Sequence, residues 1–186
     1  MFSVRLPMRG LVVSATSRLR ALGRDENGVT AVEFGLLAVP FFTIILAILQ
    51  TATMFLATQV LDSAVEDASR KVRTGEGKAY TLTDFRTYMC GFTFNLLDCS
   101  QIKLKSEVIA GFDTISNTVP QTCNSTTCTW TTGWEGFDPG ARRSVVQVSA
   151  YYRYPLIVTL PYFNLKNQPD NYRLISAIRV FRNEPY

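Results

Sequence analysis

The chain has 186 residues, a formal net charge of +4, 47% hydrophobic residues and 18% charged residues. That length suits one modest domain with at most an appendage, and the composition is too apolar for a disordered chain. Histidine is absent, which removes the commonest general base and the commonest catalytic metal ligand and so excludes histidine-based catalysis.

Residues 1–28 carry Arg5, Arg9, Arg18, Arg20 and Arg24 against Asp25 and Glu26, a net +3, while the rest of the chain is close to neutral. No basic face interleaved with aromatics accompanies this excess, so the charge does not point to nucleic acid as a partner. It sits just ahead of residues 34–61, which hold 28 consecutive uncharged positions. As a helix rising about 1.5 Å per residue, this stretch is about 42 Å long, enough to cross a ~30 Å hydrocarbon core with some tilt. A buried soluble helix rarely runs so long. A secretory signal has an apolar region of about 7–15 residues followed by a small-residue cleavage site, and this segment outruns it. With arginines before the span and no comparable cluster just after it, residues 1–28 are expected in the cytoplasm and the remainder outside, with membrane lipid around the helix.

The helix is expected to continue past the span. No Gly or Pro interrupts residues 62–73, and Leu61, Val65, Ala68 and Val72 recur at i, i+4, i+7 and i+11 as one apolar stripe. Glu66 with Arg70 and Asp67 with Lys71 are i,i+4 pairs in the favourable order. Gly75 and Gly77 supply a stop. The expectation is one helix over 29–74, lipid-embedded in its first part and packed on protein in its last turns, with Pro40 as a point of kinking.

An acid inside a hydrophobic span costs about 2.5 kcal/mol or more on insertion scales, so Glu33 needs a reason. Its neighbourhood reads Gly28-Val29-Thr30-Ala31-Val32-Glu33-Phe34, a glycine five residues ahead of a glutamate, preceded by an arginine-containing leader. This resembles the processing site of type IV prepilins. The resemblance implies a cut between Gly28 and Val29 by a membrane-embedded aspartyl prepilin peptidase, leaving Glu33 as the fifth residue of the mature chain. A new amine on one subunit is then neutralised by the glutamate of a neighbour. The plainer reading is a glutamate at the headgroups near a helix start, where its charge suits the dipole.

The wider stretch Asn27-Gly28-Val29-Thr30-Ala31-Val32-Glu33-Phe34-Gly35-Leu36-Leu37-Ala38-Val39-Pro40 resembles the TadE-like minor pilins of tight-adherence pili, and the ending Val180-Phe181-Arg182-Asn183-Glu184-Pro185-Tyr186 resembles that family's common ending. The resemblance covers the N-terminal third and the last dozen residues. The family's major pilins have Glu-Tyr where this chain has Glu33-Phe34, and they are far shorter, which favours a minor subunit.

Beyond Gly77 the composition changes to short alternating segments, and residues 78–186 are expected to form a small outward α+β domain. Residues 82–97 suit a short helix capped by Thr83, with Phe85, Met89, Phe92 and Leu96 near helical spacing and Gly91 weakening it. Alternation at Ile102, Leu104, Ser106 and Val108, again at Val146, Val148, Ala150, Tyr152 and Tyr154, and again at Leu174, Ile178 and Val180 implies three or four antiparallel strands. The apolar stripe of the long helix gives this sheet a face to pack against. Residues 111–120 and 131–143 read as loops.

Cys90, Cys99, Cys123 and Cys128 all fall on the outward side, and three pairings are possible. An oxidising compartment favours disulfides, with Cys90–Cys99 and Cys123–Cys128 closing the short local loops. A four-cysteine zinc site is the rival, but the eight residues between Cys90 and Cys99 are wide of the usual two to four. Asn124-Ser125-Thr126 fits a glycosylation acceptor and equally a polar loop. Gly75-Glu76-Gly77-Lys78-Ala79 lacks the earlier glycine and the Ser/Thr of a phosphate loop. Trp130 and Trp134 sit in a Gly/Thr-rich stretch and suit packing or surface contacts.

The expected architecture is thus a basic leader over 1–28, a long transmembrane helix over 29–74 and a pilin-like α+β domain with an antiparallel sheet over 78–186. The expected role, implied by the resemblance, is that of a minor pilin or pseudopilin of the bacterial inner membrane, with its C-terminal domain in the periplasm and passage into an extracellular pilus after assembly. Its partners are then the prepilin peptidase, other pilins and minor pilins, and the inner-membrane assembly platform of a fibre used for surface attachment. No cofactor, metal or enzymatic activity is expected. The alternative is an unprocessed single-span anchor presenting a periplasmic binding or sensory domain, and a membrane-tethered enzyme lacks the residues to carry its chemistry.

Overall fold

The structure, a computed structural model, describes residues 28–157 and 163–185. The expected leader, Gly28 apart, lies outside the described residues. The chain divides into two units, Met1–Ile45 and Leu46–Tyr186, and helix α1, Val29–Arg73, supplies residues to both.

In the first unit every turn of α1 is apolar and outward-facing: Phe34, Leu36 and Leu37 are each 71% exposed. The most apolar window of α1 has a mean hydropathy of 2.4 and none of it is buried, so these side chains have no protein core to enter and suit lipid instead. Pro40 lacks the N–H that would close its own turn, yet α1 runs through it unbroken.

In the second unit α1 changes role. Ala57, Leu61, Ala64, Val65, Ala68 and Val72 are buried in one cluster with Phe85, Met89, Leu104, Val146, Val148, Ala150 and Ile175. The expected stripe at Leu61, Val65, Ala68 and Val72 is therefore the core face. Each such large side chain contributes about 1.5–3 kcal/mol of burial. The helix ends at Arg73, one residue before expectation, because Gly75 adopts φ +82°, a left-handed stop that a side chain would resist. The expected i,i+4 ion pairs give way to longer-range ones. Glu66 pairs with Arg179 and Lys71 with Glu76, since an arginine held by the sheet loses less side-chain freedom on pairing than two free helix side chains.

Helix α2 spans Leu82–Cys90. Its cap is Thr81, not Thr83: the Thr81 hydroxyl accepts from Asp84 N–H at 3.2 Å, and the Asp84 carboxylate accepts from Thr81 N–H at 2.9 Å. This reciprocal box satisfies two end donors at once. Those hydrogen bonds from Thr81, backbone first, hold the Asp84 carboxyl below its ordinary value. The helix ends at Cys90 rather than at Leu97: Phe92 and Thr93 N–H donate to the i−3 carbonyls of Met89 and Cys90, and Phe94 and Asn95 then take φ of 50° and 56°, through which no helix resumes.

The four-stranded sheet has the order β4-β1-β5-β6, built from β1 (Lys103–Ile109), β4 (Gly136–Phe137), β5 (Val145–Pro155) and β6 (Tyr172–Arg182). β5 is antiparallel to β1 and β6, while the two-residue β4 adds in parallel to β1, a departure from a purely antiparallel sheet. A separate hairpin pairs β2 (Gln121–Cys123) with β3 (Cys128–Trp130); neither it nor β4 was expected, since each is too short to show a period.

On β6 the core side differs from expectation. Ala177 opposes Ala150 and Ile175 opposes Tyr152, so Ile175 and Ala177 face α1, while Leu174 and Ile178 lie on the other side, half-buried. One residue of register turns every side chain over. The opposite face of β5 is also covered. Gln147, Ser149 and Tyr151 are buried beneath residues 110–120: Ser116 N–H donates to Gln147 Oε1 at 3.1 Å and Tyr151 packs edge-on against Trp134 at 5.5 Å between ring centres.

Candidate functional site

Glycine, valine and glutamate at positions 28, 29 and 33 fall within one turn and a fraction of helix. Val29 opens α1, and four residues at about 1.5 Å each put Glu33 about 6 Å further along the axis. All three are exposed. The first turn of α1 carries no acid, and Glu33 makes no ion pair among the described residues. A carboxylate so placed on an apolar helix is costly without a cation beside it.

Gly28 has a further property. A Cβ built on it meets nothing within 4 Å among the described residues, and its backbone is outside the left-handed region. Neither crowding nor dihedral angle therefore requires glycine there, in contrast to Gly140, where φ is +70° and a Cβ would sit 2.4 Å from Ser144 Oγ.

The four cysteines form two disulfides, Cys90–Cys99 and Cys123–Cys128. The first closes the turn after α2, whose tip presents Phe94, 78% exposed. The second joins residues directly opposite in the β2–β3 hairpin. The Asn124 side-chain oxygen accepts from Thr126 and Thr127 N–H at 2.9 and 2.7 Å, so this asparagine builds the turn between them. No group of three metal-ligating side chains occurs among the described residues.

Two polar constellations of the second unit escaped the sequence. Arg179 points to the α1 side of β6 and donates to Asp62 Oδ2 and Glu66 Oε2, each at 2.5 Å. The hydrogen bond to Asp62 raises its pKa, burial opposes this, and Glu66 restores the upward direction. Its only sequence signal is the two-residue spacing after Ile175 and Ala177. Glu135 gathers Arg86 at 2.5 Å, Lys103 at 2.9 Å and Leu104 N–H at 3.3 Å. Burial pushes this carboxyl up, but the hydrogen bonds from Lys103, Arg86 and Leu104 outweigh it and leave the pKa below the ordinary glutamate value. Both arginines come from elements distant in sequence from their acids, which no local pattern can reveal.

The C-terminal run is a fastening. Asn183 is buried and its amide donates to Pro139 O at 2.8 Å and Ala141 O at 3.1 Å, while Glu184 N–H donates to Arg73 O at 3.0 Å. The last strand thus closes both a loop and the C-terminal turn of α1, one of whose orphan carbonyls it satisfies.

Residues 28–70 match the family model described as TadE-like protein. Comparisons with curated proteins and with solved structures returned no match. The matched segment opens at Gly28 and runs almost to the end of α1. The similarity associates the chain with the tight-adherence pilus system, and together with the apolar helix it marks a membrane-anchored protein.

Proposed function

We propose that this chain is a minor pilin or pseudopilin, matured by a prepilin peptidase that cuts between Gly28 and Val29, and that its work is assembly. The observation that carries the reading is the glycine. The fold leaves open space around Gly28, yet the TadE-like segment begins at that residue and α1 begins at the next. A glycine without a folding role at such a boundary suits recognition by an enzyme. The cut frees an α-amine on Val29, ordinarily protonated at neutral pH with a pKa near 7.7–8.0. Inside an apolar environment that cation and the Glu33 carboxylate of a neighbouring subunit each lower the cost of burying the other. Registered association of helices follows. The outward unit then stands in the periplasm, where disulfides persist, and joins other pilins at the assembly platform. Whether it primes, caps or runs through a fibre lies with its partners.

The test is N-terminal sequencing of the membrane-extracted protein from cells with an active prepilin peptidase. A start at Val29 is expected, and Gly28→Lys should fold normally but accumulate at precursor length. An intact Met1 start would leave the anchor of a periplasmic binding or sensory domain as the reading instead.

A further inference from the structure

β5 outruns β1. The last pair between them is Lys103 with Tyr151, whereas β6 stays beside β5 as far as Pro155, so one edge of residues 152–155 has no strand beside it among the described residues. A cleft of about 440 Å³ lies at this notch, within the ~300–1,000 Å³ of small-ligand sites. Three aromatic side chains line it, Trp130, Tyr152 and Tyr172, together with Asp98 and Gln101.

The walls are held in place by the fold itself. Asp98 caps the 3₁₀ turn Cys99–Gln101, its Oδ1 accepting from Ser100 N–H at 3.0 Å and from the Ser100 hydroxyl at 2.7 Å. Those hydrogen bonds, the hydroxyl's first, hold its carboxyl below the ordinary aspartate value, so at neutral pH it is an ionised acceptor. The Cys90–Cys99 disulfide ties the same turn to α2. Trp130 ends β3, two residues past the Cys123–Cys128 disulfide. Arg153 joins the parts: its Nη1 donates to Cys128 O at 3.1 Å, its Nε to Gln168 at 3.0 Å and its Nη2 to Asp170. Its guanidinium also lies 4.6 Å from the centre of the Tyr172 ring. With every nitrogen engaged and its charge paired, Arg153 acts as scaffold.

The unused groups define the ligand. Asp98 Oδ2, the Gln101 amide and the Trp130 indole N–H make no hydrogen bond among the described residues, and all three side chains reach solvent, Asp98 and Gln101 exposed and Trp130 half-buried. An aromatic face is the negative part of the ring's quadrupole, which attracts the weakly positive C–H groups on the face of a pyranose. The hydroxyls at the sugar's rim donate to a carboxylate and exchange hydrogen bonds in both senses with an amide. We infer that this cleft binds a neutral saccharide, stacked on Trp130 and hydrogen-bonded by Asp98 and Gln101. A proline-rich peptide also suits aromatic grooves, but its prolines have no N–H for Asp98 to accept. The inference is independent of processing at Gly28.

The probes are cellotriose, maltotriose and triacetylchitotriose, titrated into the full-length chain in a detergent without a sugar headgroup and followed by calorimetry and by the NMR signal of the Trp130 indole N–H. Saturable binding of at least one is expected, unchanged between low and high salt as a neutral ligand requires. Trp130→Ala should weaken it about tenfold or more. Gln101→Ala, and Asp98→Asn, which keeps a capping side chain, should each weaken it about threefold or more. Trp134→Phe, outside the cleft, should bind as wild type. The inference is overturned if none of the three sugars binds, if decaproline binds in their place, or if Trp130→Ala and Gln101→Ala, each folded by circular dichroism, keep wild-type affinity.

Discussion

Leu61 and Leu49 are the same residue type on the same helix, and α1 assigns them opposite environments. Leu61 is 0% exposed and Leu49 is 56% exposed. Leu61→Ala removes a side chain enclosed by the sheet and α2, so the lost transfer energy and the cavity left behind should together cost about 2–5 kcal/mol. Leu49→Ala empties no protein cavity and should change the stability of the α+β domain by no more than about 0.5 kcal/mol. The assay is urea unfolding of the detergent-solubilised full chain, followed by the fluorescence of Trp130 and Trp134, both in the α+β domain. With a urea slope of about 1–3 kcal/mol/M, a loss of 3 kcal/mol lowers the midpoint by about 1–3 M. Trp134 stacks edge-on against buried Tyr151, so its signal follows domain packing rather than the membrane segment. Equal midpoint shifts in the two variants, or a larger one for Leu49→Ala, would refute the division of the helix between lipid and core.

Glu33→Gln removes a charge that the apolar segment has no partner for, so insertion should be unimpaired while incorporation into pilin complexes is lost; crosslinking in membranes, with cleavage followed on the same gel, checks this, and wild-type crosslinks would defeat the pairing role. Glu135 has a folded-state pKa below its ordinary value near 4.5, so its contribution is fully present above that value and is lost as pH falls through the folded pKa. The stability gap between wild type and Glu135→Gln, measured by urea at several pH values, should therefore be constant from pH 7 to about 5 and shrink below about 4.5; a gap that grows in acid is the contrary result. Arg179→Leu should change domain stability by about 1 kcal/mol or less but give a second set of amide signals for β6 in NMR spectra, and a single unshifted set would count against the register argument below.

The long helix was legible because its signals are periodic and extended: an uncharged run long enough for a bilayer, then a stripe at Leu61, Val65, Ala68 and Val72 whose spacing only one face of a helix satisfies. The strands of Leu104 and Val146 were legible for the same reason, since one apolar face alternates with a polar one in each. Elsewhere the determinants are not local. Beyond the end of α2 the chain is kept out of the helix by left-handed residues at Phe94 and Asn95, neither of which is a glycine. The burial of Gln147 and Tyr151 is decided by residues 110–120, which carry no period of their own yet cover them. The ion pairs of Arg179 with Asp62 and Glu66 join β6 to α1 across more than a hundred residues, a separation that no spacing rule spans.

β6 shows most clearly where local reading stops. Its sequence Tyr172–Arg182 is apolar on both faces, with Leu174 and Ile178 on one and Ile175 and Ala177 on the other, so hydrophobicity alone does not choose which set meets the helix. A shift of one residue in pairing with β5 would exchange them. Arg179 breaks the tie. In the observed register it lies on the α1 side and reaches both Asp62 and Glu66; in the shifted one its guanidinium would turn to the opposite face and leave both carboxylates without it. Pairs of this exposure are worth only about 0.2–1 kcal/mol each, too little to matter for a core that buries seventeen residues. Two of them together, about 1 kcal/mol, acting on a choice between two apolar faces would bias it about fivefold, since 1.4 kcal/mol is a factor of ten. The arginine thus contributes modestly to stability and strongly to register, and register is what brings the strand's far end to Arg73, where Glu184 N–H bonds to the C-terminal turn of the helix.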